Sequence, residues 1–450
     1  MSKSLFACAL ATAVCASACL NMGTAPTPGQ SDGGLNAIGA SGEPIVADST
    51  AALQPNTVAT NPNVTQNNNI PSPGPTPGNN TPSPEPEPVM VTGADRFTLV
   101  GRYITNPPGM LSMSWLSSKI GLRFTGTSLA MDFSSSGVNR LNIVLDGNPL
   151  DMQMINVQSN TARKTLVEGL VNGTHTIWIT KGTEFTYGAG VINISDFCLD
   201  EGAYFLTPPK AKSRRIEAIG DSSYSSYGVE GVGPGCNTEP KLENADHAIP
   251  AFVAQNLDAE LVNLSATGRG VVESQFDSNR DPNALLPYVY KHWIGGRFSP
   301  LWDFNKVMMD VVLLSAGGND LLGDSGNGAL TDPNKFISTY AQWMLDIRTY
   351  YPKASIYAIM SPNAKNNDRI TMMNALKAAV AQAQSQRPGG QDSNMLFYDY
   401  FANDPNGWTV YDDVANKGGY GWGCSYHTNV AGSRWLGDRL AASIKSHMNW

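Results

Sequence analysis

At Pro208-Pro209, followed by the basic stretch Lys210 to Arg215, the texture of the chain changes, and no single fold class accommodates both sides. Upstream, short runs alternate apolar and polar residues with a period of two: Ile120 to Phe124, Leu129 to Phe133, Leu141 to Leu145, Thr174 to Ile179 and Ala189 to Ile194. Turn formers such as Asp146-Gly147-Asn148-Pro149 and Asn172-Gly173 separate them. Closely spaced strands of this kind predict an all-β sandwich or jelly roll over residues 93–207. Downstream, strands and helices alternate. The strand signals are Ile216 to Ile219, Glu260 to Leu264, Asp310 to Ser315, Ala354 to Met360 and Met395 to Tyr398. Val311 to Leu314 are apolar without a break, as a strand buried on both faces requires. Helical segments lie between: Ala248 to Leu257, one opened by Asp332-Pro333, and one through Ile370, Met373, Leu376 and Val380. In the second, Phe336, Tyr340, Met344 and Ile347 share a face. A terminal helix carries Leu436, Leu440 and Ile444 at helical spacing. Residues 210–450 therefore predict a three-layer α/β domain with a parallel sheet, its reactive groups at the carboxyl ends of the strands.

Neither pattern extends to the amino-terminal part of the 450-residue chain. From Ser4 to Asp95 there is no Lys or Arg, while Pro, Asn, Thr, Gly and Ser recur. Such a composition buries too little apolar surface to offset its ordering entropy, so residues 19–92 are expected to form a disordered spacer. Residues 1–18 read as an export signal: Lys3, the apolar run Leu5 to Val14, then Ala16-Ser17-Ala18. Cys19 follows directly, which leaves lipidation of Cys19 and plain cleavage after Ala18 as two outcomes. Both place the protein outside the cytoplasm, secreted or at the cell surface, with membrane contact only through an anchor at Cys19. The net charge of −8 opposes binding to nucleic acid, which needs clustered cations. No Cys-x-x-Cys or Cys/His cluster offers metal-ligand spacing, so no metal or cofactor is expected. Cys198 sits in an apolar alternating stretch and reads as a buried free thiol. A monomer is the expected state.

Four places carry chemistry, each at a strand's carboxyl end or beside the last helix. Gly220-Asp221-Ser222 follows the first strand of the α/β part, where a Ser at a strand-to-helix turn exposes its Oγ and presents its own N–H. Asn263 to Gly268 follows the second, and Gly268 lets backbone approach a ligand. Gly317-Gly318-Asn319-Asp320 follows the third and aims an amide donor into the crevice. His427 precedes the terminal helix. Each is ordinary alone: a Ser there commonly caps a helix, and a His beside a helix start is commonly structural.

In this order and spacing the four resemble the SGNH (GDSL-type) hydrolase superfamily, whose blocks carry Ser, Gly, Asn and His in sequence. More narrowly, the chain resembles the family-2 carbohydrate esterases, which place a jelly roll ahead of the hydrolase. Ser226-Tyr227-Gly228-Val229-Glu230 matches the stretch after their serine block. Arg123 to Ser128, Gly173 to Thr176, Trp302-Asp303-Phe304, Asp310 to Val312 and Gly423 to His427 match further ones. The resemblance implies Ser222 as nucleophile, His427 as base, and an oxyanion hole of Ser222 and Gly268 N–H groups with the Asn319 amide. It also implies a disulfide between Cys236 and Cys424, holding the His loop over the nucleophile.

Two departures stand out. Ser223 and Tyr224 replace the usual continuation of the serine block, and Cys424 and Ser425 occupy the places where the supporting acid normally sits. A backbone carbonyl or a remote carboxylate must then orient His427, with Asp412 or Asp413 the nearest candidates. Trp302, Trp408, Trp422 and Tyr426 are the aromatics positioned to stack on sugar rings. The expected reaction is removal of acetyl groups from a plant-type polysaccharide such as xylan or glucomannan. Two other functions compete: a glycan-binding surface protein whose esterase site has decayed, and a short-chain lipase or thioesterase of the same superfamily.

Overall fold

The structure, a computed structural model, describes residues 90, 93–106, 110–150, 153–155, 162–186, 190–274, 281–293, 300–322, 331–389, 391–402 and 421–450. The expected signal, the spacer apart from Met90, and Cys19 lie outside the described residues.

Period-two alternation folds the first domain as expected. Strands between Phe97 and Leu206 form two antiparallel sheets. Their inward residues, among them Ile120, Leu122, Phe124, Leu129, Met131, Phe133, Ile177 and Ile179, make one core. The last long strand runs Ile192–Leu199 rather than ending at Ile194, and its register shifts between Ile194 and Asp196. That bulge reverses the alternation. Ile192 and Ile194 point inward before it, and Phe197 after it, so Cys198 faces outward. The expectation of a buried thiol is therefore corrected: Cys198 is half-exposed, and the Arg163 guanidinium donates to its Sγ at 3.1 Å.

The second domain is a five-stranded parallel sheet of β1 (Arg214–Gly220), β2 (Ala259–Asn263), β3 (Val311–Ser315), β4 (Ser355–Ile359) and β5 (Met395–Tyr398). Their order is β2-β1-β3-β4-β5. Every residue of β2, β3 and β4 is buried, which accounts for the apolar runs Val311 to Leu314 and Ile356 to Ile359. Helices α1 (Ile249–Asn256) and α4 (Val430–Met448) cover one face through Ile249, Val253, Leu436, Leu440 and Ile444. Helices α2 (Pro333–Tyr350) and α3 (Asn366–Ser385) cover the other. Asp332 caps α2, its side chain accepting the Asn334 N–H at 3.0 Å, with Pro333 in the first turn. The expected stripe of α3 is met except at its start: Leu376 and Val380 are buried and Met373 packs against the core, while Ile370 is 55% exposed. Met372, Ala375, Ala379 and Ala383 complete the inward side, and the alanines let α3 lie close to α2.

The chain passes from β1 to β2 on one side and then crosses to β3 on the other. The carboxyl ends of β1 and β3 thus flank a switch point, where parallel sheets open a crevice.

The two domains share a buried seam. Arg102 of the sandwich is 1% exposed and meets Glu217 of β1, 0% exposed, at 3.1 Å. The Tyr351 hydroxyl donates to the same Glu217 oxygen at 3.1 Å, and Arg102 also donates to the carbonyls of His292 (3.2 Å) and Tyr290. Trp115 of the sandwich belongs to the hydrolase core and donates its indole N–H to His292 O at 3.2 Å. Removing one partner of a buried pair leaves the other charge uncompensated. We expect Arg102→Ala to lower the unfolding free energy by about 3–5 kcal/mol in urea titrations; a loss under about 1 kcal/mol would show the pair to be dispensable.

Candidate active site

Lateral hydrogen bonds gather the expected residues. β1 ends at Gly220, and the chain turns at once: the N–H groups of Tyr224 and Ser225 both bond back to Asp221 O, at 3.0 and 3.1 Å. Ser222 rides on this turn. The Asp221 N–H bonds Ser315 O at 3.2 Å, tying the turn to the end of β3, and the Ala266 N–H bonds Gly220 O at 2.9 Å, tying it to the loop after β2. Gly317 (φ 119°) and Gly268 (φ 74°) both sit in the left-handed region where a side chain is strained. The Asn319 amide donates to the carbonyl of Arg269, next to Gly268, at 2.9 Å. Asp320, fully buried, accepts the N–H groups of Val271, Val272 and Glu273 at 2.7–2.9 Å. The Gly268 loop is therefore held by the Asn-Asp pair that follows β3. Burial pushes the carboxyls of Asp221 and Asp320 up to about 6 each.

Ser222 and His427 meet directly, with Oγ and Nε2 2.7 Å apart. Nδ1 of the same ring lies 2.9 Å from Ser425 O. A carbonyl only accepts, so Nδ1 carries the proton and Nε2 is left to accept from the Ser222 hydroxyl. Of the two expected ways to orient the His, the described residues show the backbone carbonyl. Asp412 and Asp413 lie outside the described residues. The carbonyl is aimed by an unusual backbone: Ser425 (φ 51°) and Tyr426 (φ 58°) are consecutive left-handed residues, each costing about 1–3 kcal/mol. The loop resists relaxing because Cys424 N–H bonds Gly228 O at 3.0 Å, Ser425 N–H bonds Pro234 O at 3.1 Å and Gly423 N–H bonds His427 O at 2.7 Å. Cys424 is also disulfide-bonded to Cys236, with Cα atoms 4.8 Å apart.

Tyr227 packs its ring on the imidazole, centroids 4.8 Å apart. Burial lowers the His427 pKa to about 4, against weaker opposition from its hydrogen bonds to Ser425 and Cys424. Tyr224, one of the departures in the serine block, is fully buried and pairs its hydroxyl with that of Tyr400 at 2.8 Å, so it fills the core beneath the turn.

The expected aromatics separate. Trp422 and Tyr426 flank the His loop with centroids 6.1 Å apart, and Tyr426 is 66% exposed. Trp302 is corrected: it is 7% exposed and packed against Tyr103 and Arg102 in the domain seam. It shares that pocket with Arg215 and Glu260 from the amino-terminal ends of β1 and β2, opposite the crevice. Its indole filled an interdomain gap that sequence spacing does not reveal. Trp408 lies outside the described residues. Reading the sequence missed the roles of Ser425 and Tyr227. Tyr227 stood within the matched stretch after the serine block, and Ser425 held the place of the missing acid, but only the backbone trace shows what each does. Among the described residues no group of three or more His, Cys, Asp or Glu is placed to hold a metal ion.

The Ser–His contact lies at a parallel-sheet switch point, the fold expected of an SGNH hydrolase. The chain belongs to the GDSL-like lipase/acylhydrolase family, which residues 218–443 match, and residues 99–209 match the carbohydrate esterase 2 N-terminal domain. It is 27% identical over 350 residues to the cellulase/esterase CelE of Acetivibrio thermocellus, covering 78% of this chain but only 39% of that protein. A family-two carbohydrate esterase from Clostridium thermocellum in complex with cellohexaose superimposes with a TM-score of 0.68 at 25% identity, covering 79% of this chain and 99% of that one. A carbohydrate esterase family 2 enzyme from Corynascus thermopiles, solved with a carbohydrate binding domain, gives 0.65 at 25% identity, covering 79% and 100%.

Two outcomes follow. With the His427 pKa near 4, a reaction that uses this ring as base should keep at least about three quarters of its plateau kcat/KM down to pH 6.5, where an ordinary imidazole is half protonated. A pH profile halved at 6.5 would contradict the desolvated base. The double variant Cys236→Ser/Cys424→Ser should lose about 2–5 kcal/mol of stability. Its kcat should fall about tenfold or more as the His loop relaxes, read by melting and steady-state kinetics together.

Proposed function

We propose that the protein is a carbohydrate O-acetyl esterase that works through Ser222 and His427, with the imidazole oriented by the Ser425 carbonyl. The 2.7 Å contact between Oγ and Nε2, with Nδ1 held by a carbonyl, carries this reading. Ser222 Oγ attacks the acetyl carbonyl carbon while Nε2 takes its proton. The tetrahedral oxyanion is held by the N–H groups of Ser222 and Gly268 and by the Asn319 amide, which spends one N–H on Arg269 O and keeps a second for the substrate. The C–O bond to the sugar then breaks, and His427 returns its proton to the departing alkoxide. Water, deprotonated by the same ring, cleaves the acetyl-enzyme to acetate and free Ser222. A Ser425 carbonyl stabilises the imidazolium less than a carboxylate does, so a lower turnover than that of a full triad is expected.

The relative named a cellulase/esterase, and the cellohexaose complex of a family-two esterase, support a polysaccharide substrate. The Trp422–Tyr426 pair beside His427 offers a surface for a sugar ring. The disulfide favours an oxidising compartment and so supports export by the amino-terminal segment. The hydrogen-bonded pair weighs against a decayed site.

Acetate release from acetylated xylan and glucomannan tests the proposal. Ser222→Ala should lower it at least about 1000-fold, and Asn319→Ala should lower kcat about 100- to 1000-fold. Wild-type rates equal to those of Ser222→Ala would refute the reading. Preference for butyrate over acetate among nitrophenyl esters would favour a lipase instead.

A further inference from the structure

Glu184 is a sandwich residue with 0% exposure, just beyond the strand Gly173–Lys181. A buried carboxylate is costly, and such groups normally repay the cost in a paired or hydrogen-bonded role. The Oε2 of Glu184 crosses the seam and accepts the backbone N–H of Thr267 at 2.9 Å. Its own N–H donates to Oε2 of Glu243, also fully buried, at 3.0 Å. Nearby, the Ala245 N–H bonds Gly182 O at 2.8 Å, so hydrolase backbone clasps this stretch of the sandwich. Lys181 is buried with them, its Nζ donating to Thr183 O at 2.5 Å, and burial pulls its pKa down to about 7.

Thr267 immediately precedes Gly268. Its hydroxyl bonds Ser225 Oγ at 2.8 Å, and Ser225 closes the turn that carries Ser222. On the far side, Arg269 O accepts the Asn319 amide. The Thr267–Gly268 step, whose Gly268 N–H points into the oxyanion hole in the reading above, is therefore held through its flanking groups from three directions. Two grips come from the hydrolase itself, and the third comes from the sandwich.

We propose that Glu184 is a positioning residue of the active site: by holding the Thr267 amide it sets the direction of the Gly268 N–H. The sandwich is then part of the catalytic unit and not a separable appendage. This rests on the esterase reading and on Gly268 as an oxyanion donor. It gives a reason for a carboxylate buried where packing alone would favour an apolar side chain.

The test compares full-length wild type, Ser222→Ala, Glu184→Leu, Glu184→Gln and Glu184→Asp on 4-nitrophenyl acetate, with melting curves for each. Leu and Gln both remove the charge and nearly keep the volume, but only Gln retains an oxygen that accepts the Thr267 N–H. Glu184→Leu should lose kcat about 10- to 100-fold with KM within about twofold, and Glu184→Gln should recover kcat to within about threefold of wild type. Glu184→Asp keeps the charge but withdraws the oxygen by one methylene, so it should lose kcat about tenfold at unchanged KM. Equal kcat for the Leu and Gln variants overturns the proposal. If the Leu variant does not fold, Asp decides, and a kcat within about twofold of wild type overturns it. Wild type no faster than Ser222→Ala indicts the esterase reading instead, which keeps the two failures apart.

Discussion

The hydrogen bonds from Asp221 N–H to Ser315 O and from Ala266 N–H to Gly220 O decide where everything else in the crevice lies. They join the ends of β1, β2 and β3 after the regular sheet has stopped, so three loops leave the sheet already in register. Ser222, Gly268 and Asn319 come from segments far apart in the chain, and each loop alone is short and unremarkable. Bound edge to edge, with Asp320 and Asn319 gripping residues 269–273, they become a single rigid surface. A site of this kind stabilises a developing charge without having to reorganise when the charge appears.

His427 comes from a different device. It leaves no regular strand, and its loop holds two consecutive residues in a left-handed conformation that would relax if the chain were free. The disulfide to Cys236 and the hydrogen bonds to Gly228 and Pro234 supply the restraint. The strain has a use, because it turns the Ser425 carbonyl onto Nδ1. The Ser425 carbonyl orients the ring at Nδ1 without bringing a charge of its own, and burial holds the imidazole pKa near 4.

The sandwich is bound into the hydrolase by groups that are expensive to bury. Arg102 with Glu217 anchors one part of the seam, and Lys181, Glu184 and Glu243 fill another. Such groups define a unique docking geometry, since any slip leaves a buried charge unmatched. The same geometry brings Glu184 to the Thr267 N–H, one residue before Gly268.

Sequence alone determined both fold classes, every strand of the parallel sheet, and the Ser222–His427 pair that meets at its edge, because these depend on local periodicity and on short motifs. It misjudged Cys198, since a single bulge at Ser195 reverses an alternation that looks unbroken in one dimension. It placed Trp302 among the sugar-facing aromatics, though the indole fills the seam between domains. It also chose Ile370 for the buried side of α3, where neighbouring alanines pack closer. The orienting carbonyl of Ser425 and the reach of Glu184 to Thr267 were decided by tertiary structure only. Both depend on the direction of one backbone carbonyl or one carboxylate across a contact distant in sequence, and residue identity carries no record of direction.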